Sequence, residues 1–246
     1  LRLGFHVSII DRLDKAVDRA VEQGCNTFQI FTRNPRGWAY KPIAEEEAQA
    51  FIAKAEAQDT RPVFAHMPYL PNLASPRDDI YRLSRESLYA ELQRCPELRI
   101  PYLVTHLGSN LGAGVEESVN RIAAALNEAL ARSTGEVMVL LENTAGTRHS
   151  MGTRFEGSQR IIQHVERSDL VGVCLDLSHA FAGGYEFRTE GGLSNTLRAF
   201  DEVIGLKRLR LIHANDAKGG LGSHLDRHEH VGQGYIGEKG FRAILR

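Results

Sequence analysis

Short apolar runs alternate along the chain with longer segments in which apolar residues recur every three to four positions. The first pattern predicts buried strands and the second predicts amphipathic helices. The helical period is clear at Leu13, Ala16, Val17 and Ala20, and Gly24 follows as a helix stop. The predicted strands are residues 1–6, 27–31, 63–65, 102–105, 137–141, 171–176 and 209–212, and the predicted helices are residues 11–23, 44–57, 78–94, 115–132, about 158–165, 193–204 and 238–245.

Strands that alternate with helices through short connections predict a parallel sheet covered by helices. Seven strands are visible, and a barrel of eight strands with outer helices takes about 250 residues. We therefore expect an α/β protein with a (β/α)8 TIM-barrel fold and a single domain over residues 1–246. Since the chain stops inside a predicted helix, we expect the C-terminal eighth strand to lie beyond Arg246. A long polar loop is expected at residues 215–237, after the seventh strand.

Composition narrows the function classes only slightly. The net charge is −1 with 25% charged residues, so any nucleic-acid binding must depend on a local basic patch. The three cysteines, Cys25, Cys95 and Cys174, have no CxxC spacing, and the N-terminus is not signal-like, which favours a reducing compartment. No apolar stretch approaches the ~20 residues of a membrane helix. We expect a soluble, cytoplasmic protein without disulfides.

Metal-type ligands stand at the ends of five successive predicted strands. They are His66, His106, Glu142, Asp176 and His213, each about one βα unit after the one before. In a closed barrel the C-terminal strand ends meet at one mouth, where barrel enzymes carry their active sites. A helix cap or a satisfied core histidine explains any single one of these residues well. It does not explain five in succession.

Three further residues extend this set. His179 closely follows Asp176, while Asp226 and His228 are two positions apart and so face the same side of an extended segment. A charged loop is normally solvated, but this pair lies directly after the His213 strand. Mixed imidazole and carboxylate donors suit zinc or a similar metal better than magnesium or calcium. One catalytic zinc takes about three protein ligands, so the set indicates more than one ion.

Six motifs follow one another in the order of a known family. They are His66-Met-Pro-Tyr-Leu-Pro-Asn-Leu-Ala, His106-Leu-Gly-Ser, Leu141-Glu-Asn-Thr-Ala-Gly, Cys174-Leu-Asp-Leu-Ser-His-Ala-Phe-Ala-Gly-Gly-Tyr, His213-Ala-Asn-Asp-Ala-Lys, and Asp226-Arg-His-Glu-His with Gly232-Gln-Gly-Tyr-Ile-Gly. Through these motifs the chain resembles, along its whole length, the endonuclease IV family of zinc-dependent apurinic/apyrimidinic endonucleases.

The resemblance implies three zinc ions and assigns their ligands by position. It gives the first zinc His66, His106 and Glu142, the second Glu142 as a bridge with Asp176 and His213, and the third His179, Asp226 and His228. It also implies a DNA-repair enzyme that hydrolyses the phosphodiester 5′ to an abasic site, leaves a 3′-OH and trims blocked 3′ ends. In that reaction Glu142 is the catalytic residue, because it shapes the nucleophile between two ions.

Double-stranded DNA must also be bound, and basic residues follow several predicted strands. They are Arg33, Arg36, Arg77, Arg148, Arg154, Lys218 and Arg227, and as a ring they indicate phosphate contacts. The resemblance further implies that Arg36, Tyr69 and Leu70 enter the base stack at the lesion as a wedge. Ordinary loop packing is the alternative for Tyr69 and Leu70. We expect a monomer.

Two departures and two rival functions remain open. The family has His-Pro-Gly where this chain has Leu107 after His106, which loosens the turn because Leu does not restrict φ. The family also has a late glutamate that completes the second zinc, which we expect beyond Arg246; the alternative is a second site that lacks this ligand. Sugar isomerases and epimerases of the xylose-isomerase-like superfamily share the fold and a His/Glu/Asp site, and a non-enzymatic DNA-binding or zinc-storing barrel is the other alternative. The third ligand group and the arginine loops argue against a sugar isomerase.

Overall fold

The computed structural model describes residues 1–133 and 137–245. Eight α-helices and eight strands are assigned within those residues. The strands are β1 (Phe28–Ile30), β2 (Val63–His66), β3 (Tyr102–His106), β4 (Met138–Glu142), β5 (Val171–Asp176), β6 (Leu209–His213), β7 (Asp216–Ala217) and β8 (His228–Glu229). The helices are α1 (Leu13–Glu22), α2 (Glu45–Ala57), α3 (Asp78–Glu97), α4 (Val115–Arg132), α5 (Phe155–Gln163), α6 (Leu177–Ala182), α7 (Glu190–Val203) and α8 (Gly237–Ile244).

The main sheet has six strands among the described residues, in the order β1-β2-β3-β4-β5-β6. The pairs β1–β2, β2–β3 and β5–β6 are parallel. Every residue of β2 and of β5 is buried, as expected for strands covered on both faces. Adjacency of strands that follow one another in the chain is the topology that the alternating pattern predicts.

The chain divides into two compact units. Unit 1 is Leu1–Pro71, Asp79–Thr105 and Ala125–Val139, and unit 2 is Asn72–Asp78, His106–Ala124 and Leu140–Arg246. In unit 1, Phe28 of β1 packs edge-on against Phe51 of α2, and both rings are almost fully buried. Helix α1 is tied to α2 by Lys54, whose ammonium lies 3.1 Å from Asp14 and 2.9 Å from Asp18. The expectation of a single domain stays a prediction.

The core of unit 2 is built on aromatic side chains. Phe155 of α5 stacks on Tyr185 with ring centroids 3.9 Å apart, and its edge meets Phe200 of α7 at 5.1 Å. The Tyr185 hydroxyl accepts a hydrogen bond from the Phe155 amide, so this ring is satisfied at its polar end. Leu107 is fully buried and lies against Gly152. Packing, in place of a proline ring, therefore restrains the turn after His106.

The predicted strand at residues 1–6 is wrong in extent, because only His6 forms a bridge, with Gln29. The amide of Gln29 donates to the carbonyl of Phe5, but the next bond along comes from Asn26 to Leu3, one position out of register. The Leu3 amide then turns to the Asn26 side chain, at 2.6 Å. This slip interrupts the ladder, since a regular ladder needs constant register.

Other differences concern helix ends and short elements. Helix α7 begins at Glu190, earlier than predicted, because the Thr189 hydroxyl caps the Gly192 amide at 3.1 Å. The short helix α6 was not predicted, and neither was the β7–β8 pairing inside the loop expected at 215–237. Among the described residues, every helix is too short or too polar to cross a lipid bilayer.

Gly4 is the position in the N-terminal segment that tolerates no side chain. An added Cβ would lie 1.7 Å from the carbonyl oxygen of Thr27. We expect Gly4→Ala to lower the free energy of unfolding by about 1–3 kcal/mol, through displacement of this segment from β1. Urea unfolding measures the change. Gly191→Ala is the control, since nothing lies within 4 Å of its added Cβ and helix propensity gains roughly 0.5–1 kcal/mol there. Equal effects of the two variants would contradict the close approach at Gly4.

Candidate metal centre

Five of the predicted ligands are the last residues of their strands, and four of them lie in unit 2. His106 ends β3, Glu142 ends β4, Asp176 ends β5 and His213 ends β6. In β3, β4 and β5 the apolar residues just before these side chains are buried, so the chain delivers each polar group where the packed strand stops. In β6, Ile212 before His213 is 42% exposed.

Glu142 is the hub of this group. Its side chain is 3% exposed, with Oε1 lying 2.9 Å from Nδ1 of His213 and Oε2 lying 3.1 Å from Nε2 of His106. Nδ1 of His179 is 3.7 Å from Oε1. Burial works to raise the pKa of Glu142, but His213 and His106 more than offset it and hold the pKa well below its usual value. The carboxylate is therefore charged and directed at imidazole nitrogens.

Asp176 is held rigidly at the end of β5. Its backbone is bracketed by the Asn143 side chain, which donates to the Asp176 carbonyl at 3.0 Å and accepts from the Asp176 amide at 2.7 Å. One carboxylate oxygen caps α6 by accepting from the His179 amide at 2.8 Å, and the other accepts from the Asn215 amide group at 2.7 Å. A carboxylate with so many supports has one orientation, as a metal ligand requires.

His179 points its outer nitrogen toward a second group of ligands. Its Nδ1 lies 2.9 Å from the Asn143 carbonyl, which leaves Nε2 facing Asp226 Oδ1 at 3.3 Å and His228 Nε2 at 3.2 Å. Burial works to lower the pKa of His179, but the charge of Asp176 and the contact with Asp226 raise it to about 9. The surroundings are thus electrically negative and favour a cation.

The loop that carries Asp226 and His228 is fixed by a buried aspartate that we did not single out from the sequence. Asp216 is fully buried and accepts backbone hydrogen bonds at 2.8–3.1 Å. The donors are the amides of Ala217, Gly232, Gly234, Ile236 and Gly237. A Cβ on Gly234 would lie 2.6 Å from this carboxylate, which explains the glycine there.

Pairing of β7 with β8 completes the placement of the loop. Ala217 is opposite His228 in the register, and the Lys218 amide donates to the Arg227 carbonyl at 2.9 Å. Asp226 and His228 therefore arrive beside His179 through a short antiparallel ladder anchored at Asp216. Nothing in the spacing of the sequence distinguishes Asp216 from Asp226, which is a candidate ligand.

The donor atoms fit a metal centre. Atoms from Asp176, His179 and His228 lie within 4.8 Å of one another, as do atoms from Glu142, Cys174 and His213. The first of these groups also has Asp226 in reach of His179. Such mixtures of imidazole and carboxylate suit zinc.

Cys174 is a site neighbour that sequence reasoning missed as such. It is fully buried, and burial raises the pKa of its thiol to about 12. Since a metal binds the thiolate, Cys174 would have to lose this proton to act as a ligand. A cysteine inside a buried strand carries no signal in the sequence that points to its neighbour His213.

His66 lies in unit 1 and ends β2. It is buried, its Nδ1 lies 2.7 Å from the Met67 carbonyl, and its ring meets the edge of Phe31 at 5.8 Å. An imidazole with Nδ1 on a backbone carbonyl presents Nε2 as its metal-binding nitrogen, which is the usual state of a histidine ligand.

The predicted DNA-contacting residues also lie in unit 1. Tyr69 is 64% exposed, Leu70 is 40% exposed and Arg36 is exposed. The Tyr69 amide donates to the Pro35 carbonyl at 3.1 Å, so the loops that carry Arg36 and Tyr69 are adjacent. Exposed apolar side chains at a loop tip are available for contact with a partner.

Arg33 corrects one sequence-based prediction. It was expected among the phosphate-contacting residues, but its guanidinium is buried and paired with Glu91 at 2.7 Å. A buried group cannot meet DNA, and Arg33 has internal partners for its donors. The remaining members of that set are exposed, namely Arg36, Arg77, Arg148, Arg154, Lys218 and Arg227.

Comparison with known proteins gives consistent matches. A family model described as "Xylose isomerase-like TIM barrel" matches residues 17–246. The chain is 52% identical over 246 residues to "Probable endonuclease 4" of Methanoculleus marisnigri, covering 99% of this chain and 87% of that protein. The crystal structure of endonuclease IV from Thermus thermophilus aligns with a TM-score of 0.87 and 36% identity, covering 100% of this chain and 87% of that one.

A D-tagatose 3-epimerase-like protein aligns with a TM-score of 0.72 at 19% identity, over 99% of this chain and 85% of that one, which is a likeness of fold alone. Together the matches confirm the predicted α/β TIM-barrel class.

Asp216 gives a prediction that needs no metal. In Asp216→Asn, an amide NH2 would face backbone N–H donors, so we expect a loss of roughly 3 kcal/mol in the free energy of unfolding. Hydrogen exchange at Gly232, Gly234, Ile236 and Gly237 should accelerate. Asp78→Asn is the control, because that carboxylate is 93% exposed. Unchanged exchange at these four amides would contradict the anchoring role.

Proposed function

Because the chain belongs to the endonuclease IV family within the xylose isomerase-like TIM barrels, we propose that it is an apurinic/apyrimidinic endonuclease of DNA repair. It hydrolyses the phosphodiester 5′ to an abasic site, leaves a 3′-OH and trims blocked 3′ ends. The observation that carries this proposal is the buried Glu142 carboxylate between His106 and His213, with the group of His179, Asp226 and His228 beyond it.

We assign three zinc ions to the protein. The second takes Glu142, Asp176 and His213, the third takes His179, Asp226 and His228, and the first takes His106 and Glu142 with His66, which we include on the family resemblance alone. Bound zinc supplies Lewis-acid chemistry, which lowers the pKa of water toward ~7 and neutralises charge that develops on a phosphate.

The protein side chains contribute order and charge. Both oxygens of Glu142 are directed at imidazoles, so its carboxylate would hold zinc together with His106 and with His213 and would not serve as the proton acceptor. Asp176 cannot rotate without breaking its bonds to the His179 amide and to Asn215. Such fixed groups need no reorganisation at the moment of reaction. Electrostatic stabilisation by preorganised groups is usually the largest single contribution to catalysis.

The substrate is double-stranded DNA that contains an abasic site. Such a site has no base to stack or pair, so extruding it costs less than flipping an intact nucleotide. Arg36, Tyr69 and Leu70 are exposed on adjacent loops and act as the wedge that holds the opened stack. We propose that the protein acts in the cytoplasm as a monomer.

A metal-dependent sugar isomerase is the second candidate. Its support is the shared fold of epimerase-like structures, and fold alone does not choose a function. The third ligand group and the exposed arginines favour the endonuclease. Nicking of an abasic duplex without turnover of free ketoses supports our proposal, and the opposite pair of results supports the isomerase. Binding of abasic duplex without cleavage would point to the non-enzymatic barrel.

Glu142→Gln tests the bridge. The neutral amide keeps the shape but loses the charge, so we expect nicking to fall by at least about 10²–10³-fold, on the order of one lost preorganised electrostatic contact. The fold should survive, because strand-end residues lie outside the packed layers of a barrel. Nicking assays and circular dichroism measure the two effects. Glu116→Gln, on the exposed face of α4, is the control. Near-normal nicking by the Glu142 variant with full zinc content would rule out the bridge.

Tyr69→Ala tests the wedge. A side chain that acts only where the stack opens contributes only at a lesion, so affinity for abasic duplex should fall by roughly 10-fold or more, the typical effect of losing one aromatic stacking contact. Affinity for the undamaged duplex of the same sequence should hardly change. Fluorescence anisotropy titrations measure both constants, and the undamaged duplex is the internal control. An equal loss on both duplexes would assign Tyr69 to general packing.

A further inference from the structure

The loop of residues 33–41 joins β1 to α2 and carries the exposed Arg36 and the protein's single tryptophan, Trp38. We call it the arginine loop. Beneath it lies a buried ionic cluster that the proposed reaction does not use. The cluster consists of Arg33 at the start of the loop, with Glu91 and Arg94 from α3. Glu91 has no exposed surface, and both arginines are buried.

Arg33 holds the arginine loop against its own beginning. Its Nε donates to Glu91 at 2.7 Å and its Nη2 donates to the Ser87 hydroxyl at 2.6 Å. Its Nη1 donates to the carbonyls of Gly37 and Trp38, at 2.9 and 3.2 Å. The planar guanidinium fork is the side chain that can make all these bonds at once. Residues 33–38 are therefore closed around one buried cation.

Arg94 holds the two ends of the same loop. It donates to the Thr32 carbonyl at 2.6 Å and to the Lys41 carbonyl at 2.7 Å. The Thr32 hydroxyl donates to Glu91, which therefore contacts both the loop's entry and Arg33. The Tyr40 ring covers both guanidinium groups, at 5.3 and 5.9 Å from its centroid.

Buried ion pairs add little net stability, because desolvation of the two charges offsets their attraction. Here each arginine also donates to two backbone carbonyls, which are those of Gly37 and Trp38 for Arg33 and those of Thr32 and Lys41 for Arg94. Ordering a loop costs conformational entropy at binding unless the fold has already ordered it. The cluster therefore fits a positioning role better than a purely stabilising one.

We propose that Arg33, Glu91 and Arg94 are positioning residues that preorganise the arginine loop for abasic DNA. The bond from the Tyr69 amide to the Pro35 carbonyl extends this order to the neighbouring wedge residue. The inference rests on the proposed function. Arg33 then orders the loop from inside the protein, and the exposed Arg36 contacts the DNA.

Glu91→Gln is the principal test, with Arg33→Lys as the second variant. We expect affinity for abasic duplex to fall by about 10-fold, which corresponds to the cost of ordering one or two mobile loop side chains at binding. The rate at saturating DNA and the bound zinc should stay unchanged, because no zinc ligand is touched. Acrylamide quenching of tryptophan fluorescence in the DNA-free protein should increase, because a less ordered arginine loop leaves Trp38 more accessible. The signal reports on Trp38 alone, since it is the only tryptophan. Glu86→Gln on the same helix is the control, as that side chain is 58% exposed.

A double variant, Arg33→Leu with Glu91→Leu, separates positioning from stability. Removing one partner should lower Tm by roughly 6–15 °C. Removing Arg33 together with Glu91 should recover part of that loss, since Arg94 keeps its bonds to the Thr32 and Lys41 carbonyls. Trp38 quenching and DNA affinity should not return to wild-type values, because the carbonyls of Gly37 and Trp38 still lack the Arg33 donor. Recovery of affinity together with Tm would overturn the inference, and so would single variants with unchanged quenching and affinity. A wild-type protein that neither binds nor nicks abasic duplex would instead overturn the proposed function.

Discussion

A buried carboxylate that must stay charged governs the centre of this protein. Glu142 ends a fully apolar strand core and is almost without solvent, yet His106 and His213 keep its pKa well below the usual value. An isolated charge could not persist there, because burial would neutralise it. The surrounding imidazoles, and the cations that they can share with Glu142, are what make such a position tenable. In unit 2, His106, His179 and His213 lie around this carboxylate.

Two buried aspartates of unit 2 show how surroundings decide a role. Asp216 is surrounded by backbone amides, so its charge stabilises the conformation of the loop that contains Gly232, Gly234 and Gly237. Asp176 receives fewer bonds and lies close to the nitrogens of His179, His213 and His228. The first therefore organises the loop that carries Asp226 and His228, and the second can bind a cation. Scaffold and chemistry are thus divided between residues of the same type.

The sequence predicts well which polar residues end the core strands, because the spacing of the βα units is regular. The position of Asp226 and His228 on the same side of their segment, next to His179, was also predictable, since alternate residues of an extended segment face one side. Arg33 and Arg36 were not distinguishable, because burial of Arg33 depends on Glu91, which is distant in sequence. The register slip at residues 1–6 escaped prediction for the same reason, as it arises from the side chain of Asn26.

Short elements escaped prediction because their signal is local and weak. Helix α6 depends on an N-cap from Asp176, which the sequence pattern had assigned to the end of a strand. The β7–β8 ladder pairs only two residues on each side, and its stability comes from Asp216 and not from strand propensity. Tertiary contacts therefore decide these elements, whereas periodicity decides the long helices and the core strands.

Anomalous X-ray diffraction at the zinc edge, from crystals of the zinc-loaded protein, tests the metal centre most directly. We predict one strong peak in contact with His179, Asp226 and His228, and another in contact with Glu142, Asp176 and His213. Crystals of Glu142→Gln should lose the second of these peaks and keep the first. Zinc found only at surface residues, with no peak at either group of ligands, would contradict the assignment of a zinc-dependent endonuclease.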